Sequence, residues 1–485
     1  MTVDPNVNIR RSAGAVAEAP SALPAGNRPA LESPVLGGVL RGTGREDARF
    51  AAIAPLGLDV MGGLAEYAGA LLLSAPLGDH VCAAASRRED GLLSVAAPSR
   101  VSLRPFEAAM TDIVRDGTAV HAAQAAHFFR DERCIVARCV VGALVEGVRA
   151  GLLPGFPGGL AVSVATAPRE QVEQCIAHAL CAATLTAAGG ALECAIDPVE
   201  AAAVAQRVAN DWLGLAPGMA DAMFSLVSEP GVINQLQTDG YRPGGSVPIP
   251  SGVELVGIHS GVDRPDGKAK YDYVRTAAFM GRALIERIIQ HEAHPHDPWD
   301  GFLSRVSVND YVEKFRDRLP TKLTGAEFLE RFGETGDELT RIDPAVVYKI
   351  RSRTEHHIYE HARARDFVEC MWRAGRSRDE KALRDAGELM CASHWSYGQR
   401  CGLASVETDL LVNLIRQHGE PLGVYGARTT GRGCGGIVAV LMKTGDRTFA
   451  ALNAALDEYA RQTGRIPRIL RGSLPGSLLT GPQPL

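Results

Sequence analysis

The chain has little net charge of either sign. Its 485 residues include 51 Lys and Arg against 56 Asp and Glu, which leaves a formal net charge of −5. A surface that binds nucleic acid needs a clear excess of positive charge, because binding displaces counterions from the phosphate backbone. We therefore expect no nucleic-acid partner.

Long apolar segments are also missing. No segment offers the run of about 18 uninterrupted apolar residues that a membrane-spanning helix requires. Even the alanine-rich stretch 172–195 is interrupted by Glu173, Gly189 and Gly190. The amino-terminal segment lacks a basic stretch followed by an apolar one, so no signal peptide is predicted. We expect a cytoplasmic protein with no membrane contact.

Closely spaced metal ligands are scarce. Ten cysteines are present, but none forms a CxxC pair, and zinc sites need such pairs. His291, His294 and His296 lie in a segment broken by proline, and His357 and His361 lack a third ligand at suitable spacing. The sequence predicts reduced thiols and no metal site.

What the chain does contain is enough apolar material for a large core. Hydrophobic residues make up 46% of it. Residues 1–47 are rich in Ala, Pro, Gly and Asn, show no periodicity, and are predicted to form a flexible arm. Beyond them, helical spacing over 124–150 and 172–187 alternates with strand-like segments at 159–165 and 253–259. This mixture predicts an α+β or mixed α/β fold.

A glycine turn within residues 54–71 carries the first candidate binding residues. Asp59, Glu66 and Tyr67 place two carboxylates and a phenol around backbone that glycine allows to approach a ligand closely. Carboxylates accept well-directed hydrogen bonds from hydroxyl groups. These three residues are therefore predicted to bind a hydroxylated ligand, with an ordinary strand–turn–helix as the alternative.

Asp221 is the candidate catalytic residue. It opens a predicted helix directly after a Pro-Gly loop, in the segment 216–223. A carboxylate that borders a cleft can act as a general acid or base. The alternative is that Asp221 simply caps the helix.

A second glycine-rich turn covers residues 429–436, before a predicted strand. Gly431, Gly433 and Gly435 can turn backbone N–H groups toward an anion, although such a motif is common. Arg432 adds a cation to this turn. Cys434 is a possible nucleophile there, with a structural thiol as the alternative.

Several collinear stretches resemble the GHMP superfamily of small-molecule kinases, and within it the arabinokinase and galactokinase branch. They are APLGLDVMGGLAEYAG (54–69), IDPVEAAAVAQRVANDWLGLAPGMADAM (196–223), GIHSGVDRPDGKAKYDYVRTAAFMGRALI (257–285), HHIYEHARA (356–364), GELMCASHWSY (387–397) and YGARTTGRGCGGIVAVL (425–441). The resemblance implies a two-lobed fold with a central cleft, an amino-terminal lobe over 48–250 and a carboxy-terminal lobe over 251–485.

The resemblance also implies roles for individual residues. Asp221 stands where the family keeps the aspartate that polarises the substrate hydroxyl. Asp59, Glu66 and Tyr67 fall on the sugar-facing turn, with Glu66 where an aspartate is usual.

The nucleotide side departs from the family pattern. Family members bind ATP phosphates on a loop like PxGxGxSSSA that opens a helix. Here only Arg169, Glu170 and Gln171 stand between the residues matched to the preceding strand and the next helix, so the loop is predicted to be deleted. Glu173 keeps the place of a metal-binding glutamate without its partners.

Two further departures concern cations. The family motif APGR reads Ala-Pro-Leu-Gly over 54–57, so its arginine is absent. The family motif GGGSGG reads Gly-Arg-Gly-Cys-Gly-Gly over 431–436. Arg169, Arg432 and Cys434 are predicted to serve a repurposed nucleotide side.

These departures favour an enzyme on a kinase scaffold that no longer uses ATP and acts on a hydroxylated or sugar-like molecule through Asp221. The first alternative is an ATP-dependent sugar kinase whose nucleotide is held by another loop, such as 152–158, and only this alternative needs ATP and Mg²⁺. The second is a non-catalytic, sugar-binding pseudokinase, and a mere dimerisation platform is a third.

Overall fold

The computed structural model describes residues 49–97, 105–115, 118–130, 134–166, 174–262, 267–291 and 298–485. Several sequence predictions lie outside the described residues. They concern the arm 1–47, the shortened loop with Arg169 and Glu173, and the pair His294 and His296.

Helices and strands are interspersed along the chain. The helices are α1 (Met110–Ile113), α2 (Ala122–Ala125), α3 (Ile135–Arg149), α4 (Gln174–Leu192), α5 (Pro198–Arg207), α6 (Ala220–Val227), α7 (Gly267–His291), α8 (Val308–Asp310), α9 (Gly325–Phe332), α10 (Ile350–Ser377), α11 (Glu380–Ser396), α12 (Val406–Gly419), α13 (Asp446–Thr463) and α14 (Ser477–Thr480). The strands are β1 (Arg49–Met61), β2 (Leu71–Arg87), β3 (Leu92–Ala96), β4 (Phe106–Ala109), β5 (Val114–Arg115), β6 (Thr118–Ala119), β7 (Gly159–Thr166), β8 (Val232–Gln237), β9 (Arg242–Pro243), β10 (Val247–Pro248), β11 (Val253–His259), β12 (Leu323–Thr324), β13 (Val347–Tyr348), β14 (Val424–Thr429), β15 (Ile437–Lys443), β16 (Arg468–Leu470) and β17 (Gln483–Pro484). A mixed α/β fold is confirmed.

The larger sheet is built around the long antiparallel hairpin of β1 and β2. One edge of β2 pairs with β1, and the other edge is shared by β8 and β7. On its other edge β7 pairs in parallel with β3, which in turn pairs with β4. On the other edge of β8 lies β10. Helices α3 to α6 cover this sheet and form the first hydrophobic core with it.

The smaller sheet has the antiparallel order β14-β15-β11-β16. Helices α12 and α13 pack against it in one core. Helices α10 and α11 fill a second core between this sheet and the β1–β2 hairpin. The two sheets are thus joined through buried side chains.

The last residues of the chain return to the larger sheet. β17 pairs with the start of β1 through Phe50 opposite Pro484. Helix α14 is tied to α4 by a hydrogen bond of 2.9 Å between Ser477 Oγ and Thr186 Oγ1. The division of the chain into lobes at residues 250 and 251 stays a prediction.

One helix prediction was wrong. The segment 124–150 is not a single helix, because α2 ends at Ala125, a 3₁₀ turn covers Ala126–Phe129, and α3 begins only at Ile135. The aromatic rings of this turn explain the break. Phe129 packs on Phe106 and on Trp212, with ring centroids 5.1 and 6.2 Å apart.

Over the described part of the chain, none of the helices combines the length and apolar character needed to cross a membrane.

Candidate functional site

Five separate segments meet in one small apolar cluster. Its buried members are Leu64, Ala216, Tyr271, Val274, Tyr397, Cys401, Leu403 and Cys434, and Tyr67 packs against them. They come from the turn after β1, the loop before α6, the first turns of α7, the segment after α11 and the glycine turn between β14 and β15. The segments that the sequence singled out are therefore neighbours in space.

The first turn is a short 3₁₀ helix, Gly63–Ala68, between β1 and β2. Gly62 and Gly69 bound it with φ of 94° and 77°, a region that favours glycine. The Gly63 N–H donates to Asp59 Oδ1 at 3.1 Å, and a Cβ on Gly63 would lie 2.4 Å from Asp59 Oδ2. Glycine therefore lets the turn fold back on Asp59.

Glu66 links this turn to the helix that carries Asp221. Its Oε1 accepts hydrogen bonds from the Ala220 N–H at 2.7 Å and from the Tyr241 hydroxyl at 3.3 Å. Burial of the carboxyl, reinforced by the nearby charge of Asp221, raises the pKa of Glu66 from 4.5 to about 7. Glu66 therefore changes its charge near neutral pH.

Asp221 lies in the first turn of α6, with 41% of its side chain exposed. The residue that caps α6 is Met219, and no side-chain hydrogen bond caps the helix. The geometry therefore does not support the capping interpretation of Asp221. Its Oδ2 lies 3.8 Å from Nδ1 of His178, a buried residue of α4.

Tyr67 points its hydroxyl toward α10. The hydroxyl lies 2.7 Å from His357 Nε2, and His357 Nδ1 lies 2.6 Å from the Arg353 carbonyl oxygen. Because a carbonyl only accepts, Nδ1 carries the hydrogen and Nε2 accepts from Tyr67. Burial lowers the pKa of His357 to about 4, so the ring is neutral. The ring of Tyr67 stacks on Phe279 at 5.8 Å.

Asp59 holds both glycine turns. Besides the Gly63 N–H, it accepts from the Gly431 N–H through Oδ2 at 2.8 Å. Arg428, which is completely buried, approaches Oδ1 with Nη1 at 3.3 Å and Glu360 Oε1 with Nη2 at 3.7 Å. Both oxygens of Asp59 are therefore occupied by protein groups, whereas the sequence predicts that Asp59 binds the ligand.

The second turn, 430–436, has an unusual backbone. Gly431, Gly433, Cys434 and Gly435 all have positive φ, between 56° and 125°. The Tyr397 hydroxyl donates to the Gly431 carbonyl at 3.0 Å, and the Cys434 N–H donates to the Leu403 carbonyl at 2.5 Å. The turn is therefore fixed at both ends.

Arg432 projects from this turn over the ring of Tyr271, with its guanidinium carbon 4.7 Å from the ring centroid. Its Nε and Nη2 are covered and make no hydrogen bond in the described part of the chain. The Tyr271 hydroxyl in turn donates to the Ala216 carbonyl, in the loop before α6, at 3.3 Å. A cation therefore lies on the same cluster as the turn that carries Glu66.

Comparison with known proteins identifies the fold. No family model matches the chain. An L-arabinokinase from Arabidopsis thaliana is 28% identical over 490 residues, which cover 89% of this chain and 46% of that protein. The chain thus spans about half the length of this curated relative. Galactokinase from Lactococcus lactis, solved with galactose, matches with a TM-score of 0.63 and 19% identity over 90% of this chain and 95% of its own.

Mevalonate kinase from Methanococcus jannaschii also matches, with a TM-score of 0.56 and 11% identity over 90% of this chain and 100% of its own. The fold is that of the GHMP small-molecule kinases. The predicted resemblance to the arabinokinase and galactokinase branch is confirmed.

At the position of the arginine in the GHMP motif APGR, this chain has Gly57, which lies on β1. A Cβ at this position would lie 2.8 Å from Ser74 Oγ on β2. The deletion of the GHMP phosphate loop stays a prediction, because residues 167–173, between β7 and α4, lie outside the described residues.

The loop 152–158 comes before β7, whereas the start of α4 comes after it. Residues 159–166 span about 23 Å along the strand. The side chains of Leu153 and Phe156 anchor the loop in the first core. None of the members of the cluster comes from this loop, and a role of the loop in nucleotide binding stays a prediction.

The histidine pair of α10 is already engaged. His357 bonds to Tyr67, and His361 Nδ1 accepts the Leu71 N–H at 3.0 Å. Within the described ranges, no three His, Cys, Asp or Glu side chains are arranged to hold a metal ion.

Sequence reasoning missed His178, Tyr241, Tyr271 and Arg428. Tyr271 and Arg428 lie inside stretches that carry the GHMP resemblance, and those positions were the available signal. His178 and Tyr241 have none, because they acquire their partners only from distant segments.

Proposed function

We propose that this GHMP-fold protein is an ATP-dependent kinase that phosphorylates a sugar, of the arabinokinase and galactokinase kind. The observation that carries the proposal is the hydrogen bond between Glu66 Oε1 and the Ala220 N–H. It fixes the turn predicted to bind the sugar directly against the first turn of the helix that presents Asp221.

The comparisons favour this proposal over the ATP-independent enzyme expected from the sequence. The relative with 28% identity is named as an L-arabinokinase, and the structural relatives are named as a galactokinase and a mevalonate kinase. The substrate is accordingly a small polyhydroxylated molecule, with ATP as the second substrate, delivered with Mg²⁺.

Asp221 has the exposure that the reaction requires. Its partly exposed carboxylate accepts the proton of a sugar hydroxyl as that oxygen bonds to the γ-phosphorus and ADP leaves. Glu66 can accept a hydrogen bond from a second sugar hydroxyl through Oε2, since the Ala220 N–H and the Tyr241 hydroxyl both bond to its Oε1. Phosphoryl transfer depends mainly on positioning and electrostatics, and Arg432 places a positive charge on the same cluster.

The test is a coupled ADP assay of the purified chain with MgATP and a panel of monosaccharides that includes L-arabinose and D-galactose, with mass spectrometry of the sugar. We expect ADP release that depends on one sugar, and a sugar phosphate as product. Asp221→Asn should lower kcat by about 10³-fold. Asp457→Asn, on the exposed face of α13, is the matched control and should not change it.

Three results would contradict the proposal, and each points elsewhere. Sugar binding by calorimetry without turnover indicates a pseudokinase. A mass change in the sugar without ATP indicates an ATP-independent enzyme. Equal activity of the Asp221→Asn variant and the wild type would remove Asp221 from the mechanism.

A further inference from the structure

His178 is a polar residue in an apolar place. It lies on α4 with no exposed surface, surrounded by the side chains of the first core. Neither ring nitrogen has a hydrogen-bond partner within the described residues. A buried donor without a partner is unfavourable, because water that bonded it in the unfolded chain is lost.

The neighbour of this ring is Asp221. His178 Nδ1 lies 3.8 Å from Asp221 Oδ2, close enough for a charge interaction and too long for a hydrogen bond. The influence of His178 extends to the second carboxyl of the site, since its electrostatic interaction with Glu66 acts to lower the pKa of that carboxyl. The imidazole therefore faces the acidic pair of the site.

We propose that His178 is a positioning residue for Asp221: its Nδ1–H bonds to Asp221 Oδ2 when the sugar is bound and so directs Oδ1 toward the sugar hydroxyl. The proposal rests on the function proposed above, in which Asp221 accepts the hydroxyl proton. Catalytic hydrogen bonds are often long in a free enzyme and tighten in the complex. A shift of about 1 Å closes the present gap to an ordinary hydrogen-bond length.

A role in positioning Asp221 explains why His178 is buried and yet faces a carboxylate. A histidine kept only for packing has no reason to face a partly exposed carboxylate. A mostly apolar helix holds the ring in one place, since α4 packs against the larger sheet and α6. His178 therefore orients the carboxylate of Asp221 from the buried side of the site, where water does not compete for the hydrogen bond.

Steady-state kinetics of three variants test the role. His178→Ala should lower kcat by 10- to 100-fold and leave the KM for ATP within about twofold, because the residue acts through Asp221. His178→Asn should recover most of the loss, since its side-chain N–H₂ can donate from a position near Nδ1. Thr184→Val is the matched control: Thr184 is buried on the same helix, its hydroxyl has no partner within the described residues, and its replacement should change neither constant.

A double variant separates positioning from packing. If His178 acts through Asp221, His178→Ala should have little further effect on kcat once Asp221 is Asn. Additive losses would overturn the proposal, and so would equal losses in the Ala and Asn variants. Denaturant unfolding of each variant shows whether a loss of activity is a loss of folded protein.

A measurement without turnover keeps the inference testable if the kinase assay fails. Histidine labelled with ¹⁵N reports which ring nitrogen carries the hydrogen. We expect the Nδ1–H form of His178 in the wild type and a changed Nδ1 resonance in the Asp221→Asn variant. An Nε2–H form, or a resonance that Asp221→Asn leaves unchanged, would overturn the proposal whether or not the chain phosphorylates a sugar.

Discussion

Replacing Glu66 by Gln should change how stability depends on pH. Glu66 accepts the Ala220 N–H through one oxygen, which a Gln amide oxygen can also do. What the replacement removes is a group whose pKa rises from 4.5 to about 7 on folding, because burial and Asp221 disfavour its charge. The folded protein therefore binds this proton more tightly than the unfolded chain does.

The sign and size follow from that difference. Below about pH 4.5 the group is protonated in both states and has no effect on stability. As the pH rises from about 4.5 to about 7, the unfolded chain gives up the proton before the folded protein does, so stability falls by up to ~3 kcal/mol, since a tenfold change in affinity is worth ~1.4 kcal/mol. Glu66 remains partly accessible, so we expect ~2 kcal/mol.

Denaturant unfolding of the wild type and Glu66→Gln at about pH 5 and about pH 8 measures this effect. The variant should gain ~2 kcal/mol in the free energy of unfolding relative to the wild type at the higher pH. At the lower pH most of that gain should disappear. Glu369→Gln, on the exposed face of α10, is the matched control and should show no such change. A Glu66→Gln difference that stays constant between the two pH values would refute the reasoning.

Three further predictions concern residues that shape the site. Tyr67→Phe should lower the free energy of unfolding by ~1 kcal/mol through the lost bond to His357 and leave the KM for the sugar within about twofold, whereas a tenfold higher KM would mean that the hydroxyl touches the sugar. Arg428→Met should lower the free energy of unfolding by ~3–5 kcal/mol, because it leaves the buried carboxylate of Glu360 without this partner; a loss below ~1 kcal/mol by denaturant unfolding would contradict this. Gly218→Ala should lower kcat/KM by about tenfold or more, because the new Cβ would lie 2.0 Å from the carboxylate oxygen that holds α6, and unchanged kinetics would show that this contact is dispensable.

Local sequence patterns were sufficient to predict the strands β7 and β11 and the two glycine turns. The predicted strand 253–259 coincides with β11, and 159–165 differs from β7 by one residue. These elements follow from local alternation and from glycine, whose conformational preferences do not depend on distant partners. The same holds for the turns that carry Glu66 and Arg432.

The contacts that define the site could not be predicted from the sequence. Arg428 of β14 and Glu360 of α10 are charged residues that become fully buried on folding, where they lie 3.7 Å apart. His178 and Asp221 meet across two helices, and no local pattern marks either as the other's neighbour. The hydrogen bonds of Asp59 to both turns likewise depend on tertiary structure, so the sequence could name Asp59 without its partners.

The pairing of β17 with β1 imposes an order on biosynthesis. Phe50 emerges from the ribosome more than four hundred residues before its partner Pro484. Until then the outer edge of β1 there exposes backbone groups that the finished protein covers, and such edges invite association with other chains. Shortening the chain by its last nine residues should therefore impair a sheet that was translated first and promote aggregation of the product.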